Sequence, residues 1–160
     1  MSTLYVDNLQ PNLGSQVAIP NLKPLAGSVV GAGSVTWEGE LVITSSTPVL
    51  FGNVLTYNLV NPSNKLVVTG VAYGDQYSGH TNGWYLKHFN IYDNLKGYTI
   101  TSGRYVGVLA QQNMIPKTEA TIYQPNAPQV QLQWSCHSYG GQAYGCNASM
   151  AYINVMEIAQ

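Results

Sequence analysis

Two stretches of the chain concentrate side chains able to bind a ligand. YGDQYSGHTNGWY at 73–85 and CHSYGGQAYGC at 136–146 both interleave Gly with Tyr. A Tyr side chain offers a flat apolar face, a hydroxyl and only two torsions to immobilise, which suits recognition loops. Sugar rings present apolar C–H faces and hydroxyls. Tyr77, Tyr139, Tyr144 and Trp84 can stack on the faces, while Asp75, Gln76, His80, Asn82 and Gln142 can bond the hydroxyls. The competing reading places these aromatics in a core, and it is the stronger one for Trp84, which opens a strand pattern. The candidate receptor-binding set is therefore Tyr77, His80, Asn82, Tyr139, Gln142 and Tyr144.

For catalysis the sequence offers little. The carboxylates are Asp7, Glu38, Glu40, Asp75, Asp93, Glu119 and Glu157, and only Glu38 and Glu40 share a face at strand spacing. Two carboxylates can form half of a glycosidase site. Charges on a strand edge more commonly block stray pairing. Nucleophile elbow, phosphate loop and metalloprotease motifs are absent from the sequence, so the expectation is a protein that is not an enzyme and uses no cofactor. His80, His88 and His137 do not have the spacing of a local ligand set, and no metal is expected within one chain. Cys136 and Cys146 are spaced to face each other across a hairpin mouth, where a disulfide would staple a Gly-rich loop. The zinc reading lacks a second ligand pair, and a reducing cytoplasm opposes the disulfide until release.

The elements that must carry these loops are strands. Short runs rich in Val, Ile, Thr and Tyr recur between Gly, Pro and Asn breaks, and helical spacing is nearly absent. Strands are expected at 3–9, 35–44, 53–60, 65–71, 84–92, 98–100, 104–110, 119–123, 130–135 and 148–158. NPSN at 61–64 and DNLKG at 93–97 have turn compositions. This many short strands in one chain of 160 residues predicts an all-β fold, a jelly-roll-like antiparallel β-sandwich.

Composition narrows the partners. Charged residues make up 8% of the chain and the net charge is −1, against about 25% charged in an ordinary soluble protein. Such a surface has no basic patch for nucleic acid or lipid headgroups, and its apolar runs are too short for membrane insertion as a helix. The opening residues have neither the cationic start nor the apolar run of a secretory signal. Low charge instead lets identical subunits approach without a Coulomb penalty.

Residues 1–33 differ from the rest. Pro11, Pro20 and Pro24 with Gly14, Gly27, Gly31 and Gly33 break the segment into short pieces, and GSVVGAGSV reads as a pivot. The expected division is a docking arm and hinge over 1–33 and a sandwich domain over 34–160. The opening MSTLYVDNLQPNLGSQVAIP, followed by LKPLAGSVV, is similar to the N-terminal pattern of tail fibre and tail-associated virion proteins of marine and cyanobacterial phages. NASMAYINVMEIAQ looks like the closing strand of the same proteins, and NPSNKLVVTGVAY resembles the approach to their central strand. The resemblance implies a virion protein assembled in the host cytoplasm, a homotrimer that holds other virion proteins through strand pairing by its arm, with Leu4, Val6, Leu9, Val17 and Ile19 filling pockets on the partner. It leaves two roles open: a fibre whose loops meet a host surface glycan, or a purely structural collar, connector or capsid decoration. Buried subunit faces are expected to include Val67, Val106, Val108 and Leu132.

Overall fold

The computed structural model describes residues 24–43, 47–76, 84–101, 106–109, 115–138 and 146–160. These form nine strands and no helix: β1 (Val29–Ile43), β2 (Val49–Asn58), β3 (Lys65–Gln76), β4 (Trp84–Asp93), β5 (Tyr98–Thr99), β6 (Val106–Leu109), β7 (Ile115–Tyr123), β8 (Gln129–Ser138) and β9 (Cys146–Ile158). One sheet has the order β1-β9-β3-β7 and the other β2-β8-β4-β5, with β6 also on β4. β5 pairs with Tyr92 and Asp93 and β6 with Trp84 to Lys87, so the two occupy one edge of β4 in succession. Counted as one column, they complete two four-column antiparallel sheets with the double Greek-key order of a jelly roll.

Period-two alternation sends one side chain in two to the interior. Leu66 and Val68 of β3, Ile91 of β4, Leu132 and Trp134 of β8 and Ile153 and Val155 of β9 meet there, all essentially excluded from water. Leu132 is thus core rather than subunit interface, whereas Val67, next to Leu66 on β3 of the other sheet, points outward; the side chains of Val106 and Val108 lie outside the described residues. Trp37, Phe51 and Phe89 continue the core as a chain of edge-to-face rings, with centroids 5.6 and 6.0 Å apart.

The strands expected from the pattern are present wherever the chain is described, and several start earlier. β2 begins at Val49 because Gly52, at a φ of 77°, carries the chain through a register shift between Phe51 and Leu55. Such a bulge hides the first half of the strand from an alternation count. β7 includes Pro116, tolerated because, among the described residues, β7 pairs with β3 alone and lies at the edge of its sheet.

The larger correction concerns the pivot. GSVVGAGSV is not a hinge: Val29 and Gly31–Ser34 are laddered to β9, with Val29 opposite Ile158 and Gly33 opposite Val155. The glycines serve close approach rather than freedom, since the ring of Tyr57 lies over them and a Cβ at Gly31 would overlap its hydroxyl. Gly27 N donates to Ala159 O (2.8 Å) and Ala159 N to Ser28 O (2.9 Å), extending the contact to the C-terminus. Among the described residues the first sandwich strand therefore starts at Val29, ahead of the boundary expected at Gly33. The expected strand at 3–9 and the docking residues Leu4, Val6, Leu9, Val17 and Ile19 lie outside the described residues.

Candidate functional site

The sandwich has two unlike ends, and each is set by where the strands stop. At one end, β9 delivers Glu157 inward on the same alternation as Ile153 and Val155, and the carboxylate is fully excluded from water. A buried carboxylate needs donors, and four are present. Tyr57 Oη (3.0 Å) and Val60 N (2.9 Å) donate to Oε2, while Asn64 Nδ2 (2.7 Å) and Asn61 N (3.1 Å) donate to Oε1. Burial raises the pKa of Glu157, but these four bonds outweigh it and hold the group below its ordinary value. Burial and the bond to Glu157 push Tyr57 up to about 12.

A second buried carboxylate stands at the same end. Asp93 accepts from Tyr123 Oη (2.7 Å) and Leu95 N (3.0 Å). Burial, followed by hydrogen bonding to Tyr98 and Asp93, raises the pKa of Tyr123. These two knots tie β9 to the turn after β2, and β7 to the turn after β4. Glu119, also buried, pairs with Lys117 at 3.1 Å. All three carboxylates are engaged within the fold, and neither Glu157 nor Asp93 reaches solvent.

The sequence holds a signal for these knots. Glu157 falls at an inward position of an alternating strand, and NPSN supplies Asn61 and Asn64 at turn spacing. Reading carboxylates only as pairs for catalysis missed it. Glu38 is exposed on β1, which among the described residues pairs with β9 alone, while the irregularity between Glu38 and Leu41 interrupts regular alternation towards Glu40. The Glu40 side chain lies outside the described residues.

The opposite end holds the strand ends that flank the recognition candidates. In the first sheet Cys146 stands between Gln76 and Ile43. In the second, Lys87 is opposite Ser138, His88 opposite His137, and Trp84 opposite Leu109. The stretch 77–83 thus joins Gln76 to Trp84 and 139–145 joins Ser138 to Cys146, each passing between sheets at this end. Residues 44–48 and 110–114 make the same passage. Tyr77, His80, Asn82, Tyr139, Gln142 and Tyr144 themselves lie outside the described residues, as do the side chains of Asp75, Gln76 and Trp84. What the topology provides is the juxtaposition of the strand ends that bracket both stretches.

The cysteines are not hairpin partners as the spacing suggested. Cys136 is buried in β8 of one sheet, whereas β9, which starts at Cys146, belongs to the other. Burial lowers the pKa of His137. Among the described residues no group of three or more His, Cys, Asp or Glu side chains is arranged to hold a metal ion, and no helix is long and apolar enough to cross a membrane.

Comparison with protein-family models finds no match, and comparison with curated proteins finds none. Solved structures do match. A chain of the T13 viral particle of IBDV aligns with a TM-score of 0.53 and 12% identity, over 89% of this chain and 36% of that one. The VP2 subviral particle of infectious bursal disease virus aligns at 0.51 and 15%, over 88% and 36%. Dimeric latent PorU from Porphyromonas gingivalis aligns at 0.50 and 9%, over 86% and 14%. At such identities the likeness shows the fold alone, and the chain spans only about a third of the viral chains it matches. PorU indicates that the fold is not confined to particles.

Proposed function

We propose that the chain is a structural component of a virion, a jelly-roll subunit that docks to the particle through residues 1–20 and presents its 77–83 and 139–145 loops to a host surface glycan. The observation that carries this reading is the asymmetry of the sandwich. One end is cross-tied by buried Glu157 and Asp93, and the other collects the strand ends that bracket both Tyr/Gly stretches. A rigid scaffold with neutral aromatic loops at one end suits recognition of sugars, whose C–H faces stack on Tyr. The fold likeness to viral particle chains supports the virion context, as does the resemblance of both chain ends to phage tail fibre proteins. That resemblance also implies a homotrimer.

Replacing Tyr77, Tyr139 and Tyr144 together by Ala, then measuring particle assembly and adsorption to host cells, tests the reading. Normal assembly with lost adsorption is expected. Lost assembly would transfer the loops to the second reading, a collar, connector or capsid decoration whose loops touch other virion proteins, which the likeness to capsid particle chains favours.

A further inference from the structure

The two outer faces of the sandwich differ in chemistry. On the sheet of β2, β8 and β4, several outward amides bond one another and the backbone. Gln129 Nε2 donates to Asn58 Oδ1 (2.7 Å), Asn94 Nδ2 to Gln133 Oε1 (3.1 Å) and Gln133 Nε2 to Gly52 O (2.8 Å). That face also carries Leu50 and Val54, each 41% exposed.

The outer face of β1-β9-β3-β7 carries apolar side chains. The register aligns Ala32, Met156, Val67 and Ile122 in one row across all four strands. Ile122 is 71% exposed and Met156 43%. Towards the other end a second row places Met150, 41% exposed, beside Tyr73, which is opposite Pro116. Two uncharged rows lie between them, Ser34, Asn154, Thr69 and Ala120, then Thr36, Tyr152, Val71 and Thr118. Among the described residues, the charged groups on this face are Lys65 at one end of β3 and Glu38 near the other end of β1. An exposed apolar patch continuous across a whole sheet marks an interaction surface.

We infer that this face is an interface and that its occupant is a second copy of this chain. The face is neutral overall and its two charges are opposite in sign, so like faces do not repel. It is also self-complementary. A twofold axis lying between two such faces and running across the strands reverses the strand direction, which carries Lys65 to the Glu38 end of the second copy. The two residues stand on strands two columns apart, about 10 Å; a tilt of roughly 30° between the stacked sheets in the sense that closes this offset removes most of it, and the length of the Lys and Glu side chains spans the rest. The same operation turns the Ile122 row towards the Met150 row. Four strands spaced about 4.8 Å apart and eight residues long give a footprint on the order of 500 Å². Side-chain relief raises the accessible area towards the roughly 800 Å² per partner of a specific complex. The contact is pairwise, so it forms a dimer alone or joins two closed rings.

Light scattering on the full chain at micromolar concentration tests this. The expected mass is an even multiple of the 17.3 kDa chain. Ile122→Asp should weaken the association at least tenfold, while at concentrations low enough to dissociate both proteins the melting temperatures should agree, because the side chain is exposed in the single chain; Met156→Lys is the second variant should the first lose its fold. Lys65→Glu and Glu38→Lys should each weaken it, since each creates a like-charge contact, and K65E/E38K together should restore it. A single-chain mass, an odd multiple, a mass that neither apolar variant reduces, or a double reversal that fails to restore would each overturn the proposal. None of these outcomes bears on adsorption by the loop tyrosines, so the two readings fail separately.

Discussion

Glu157 concentrates more of the fold's polar organisation than any composition argument anticipates. Four donors converge on it from β2 and the turn that follows. Glu157→Gln places an amide donor among donors and removes the charge, and should cost on the order of 3 kcal/mol of unfolding free energy by urea titration. Tyr57→Phe should cost less, about 1–2 kcal/mol, because three donors remain. The pH dependence follows from two lowered pKa values. Folded Glu157 stays ionised below 4.5, where the unfolded chain takes up a proton. Folded His137 stays neutral below 6.5, where the unfolded imidazole charges. In both cases the unfolded state binds more protons as acid is added, so stability falls with pH, first below about 6.5 and again below about 4.5. A urea midpoint that is flat from pH 7 to pH 4 would contradict this. His137→Gln should flatten the upper step alone. These roles were partly legible: alternation points Glu157 inward and NPSN reads as a turn, but that the turn of one sheet wraps the carboxylate of the other is a contact between residues some 93–100 positions apart.

At the scale of elements, β1 is the strand whose reading changed most. Glycines at 31 and 33 lower strand propensity and suggest a pivot, yet they are required because Tyr57 from the facing sheet packs against the backbone there. Gly31→Ala should therefore destabilise by about 1–3 kcal/mol through overpacking, measured by thermal or urea unfolding, where a hinge would accept Ala or gain from it. Truncation separates the same alternatives. Removing residues 1–23 is expected to leave a cooperatively folding sandwich. Removing residues 1–33 should abolish the cooperative melt, because it strips the ladder from Val29 to Gly33 and uncovers Tyr57 and Glu157. Equal melts for the two truncations would restore the hinge. β4, β5, β6 and β9 lie close to their expected bounds, whereas β2 and β7 start four residues early, where a left-handed glycine and an edge proline break the alternation, and β3 and β8 run five and three residues past their expected ends.

Across the whole molecule, the jelly-roll crossing pattern sorts loops by end. The strands that end at Ile43, Gln76, Leu109 and Ser138 all stop at the same end, and each is followed in sequence by a strand of the other sheet, which is why segments some 60 positions apart in sequence can act on one ligand. The expected result for Tyr77, Tyr139 and Tyr144 replaced singly by Ala is a graded loss of adsorption, on the order of 1–3 kcal/mol for any residue that stacks on the ligand, with the melting curve of the sandwich unchanged. A Tyr that instead fills a core would shift that melt by several degrees.

By itself the sequence determined the fold class, because period-two alternation interrupted by Gly, Pro and Asn is a local property that only strands satisfy. It also determined the low charge of the surface and the composition of the two Tyr/Gly loops. Only the tertiary structure decided which strands are neighbours, and hence everything that depends on pairing. The order β1-β9-β3-β7 lines up Met156, Val67 and Ile122 into one exposed row, separates Cys136 from Cys146 into different sheets, and sets Tyr57 against Gly31. Alternation says whether a side chain faces in or out, but carries no information on which strand lies alongside; that choice is made by the burial of both inner faces at once.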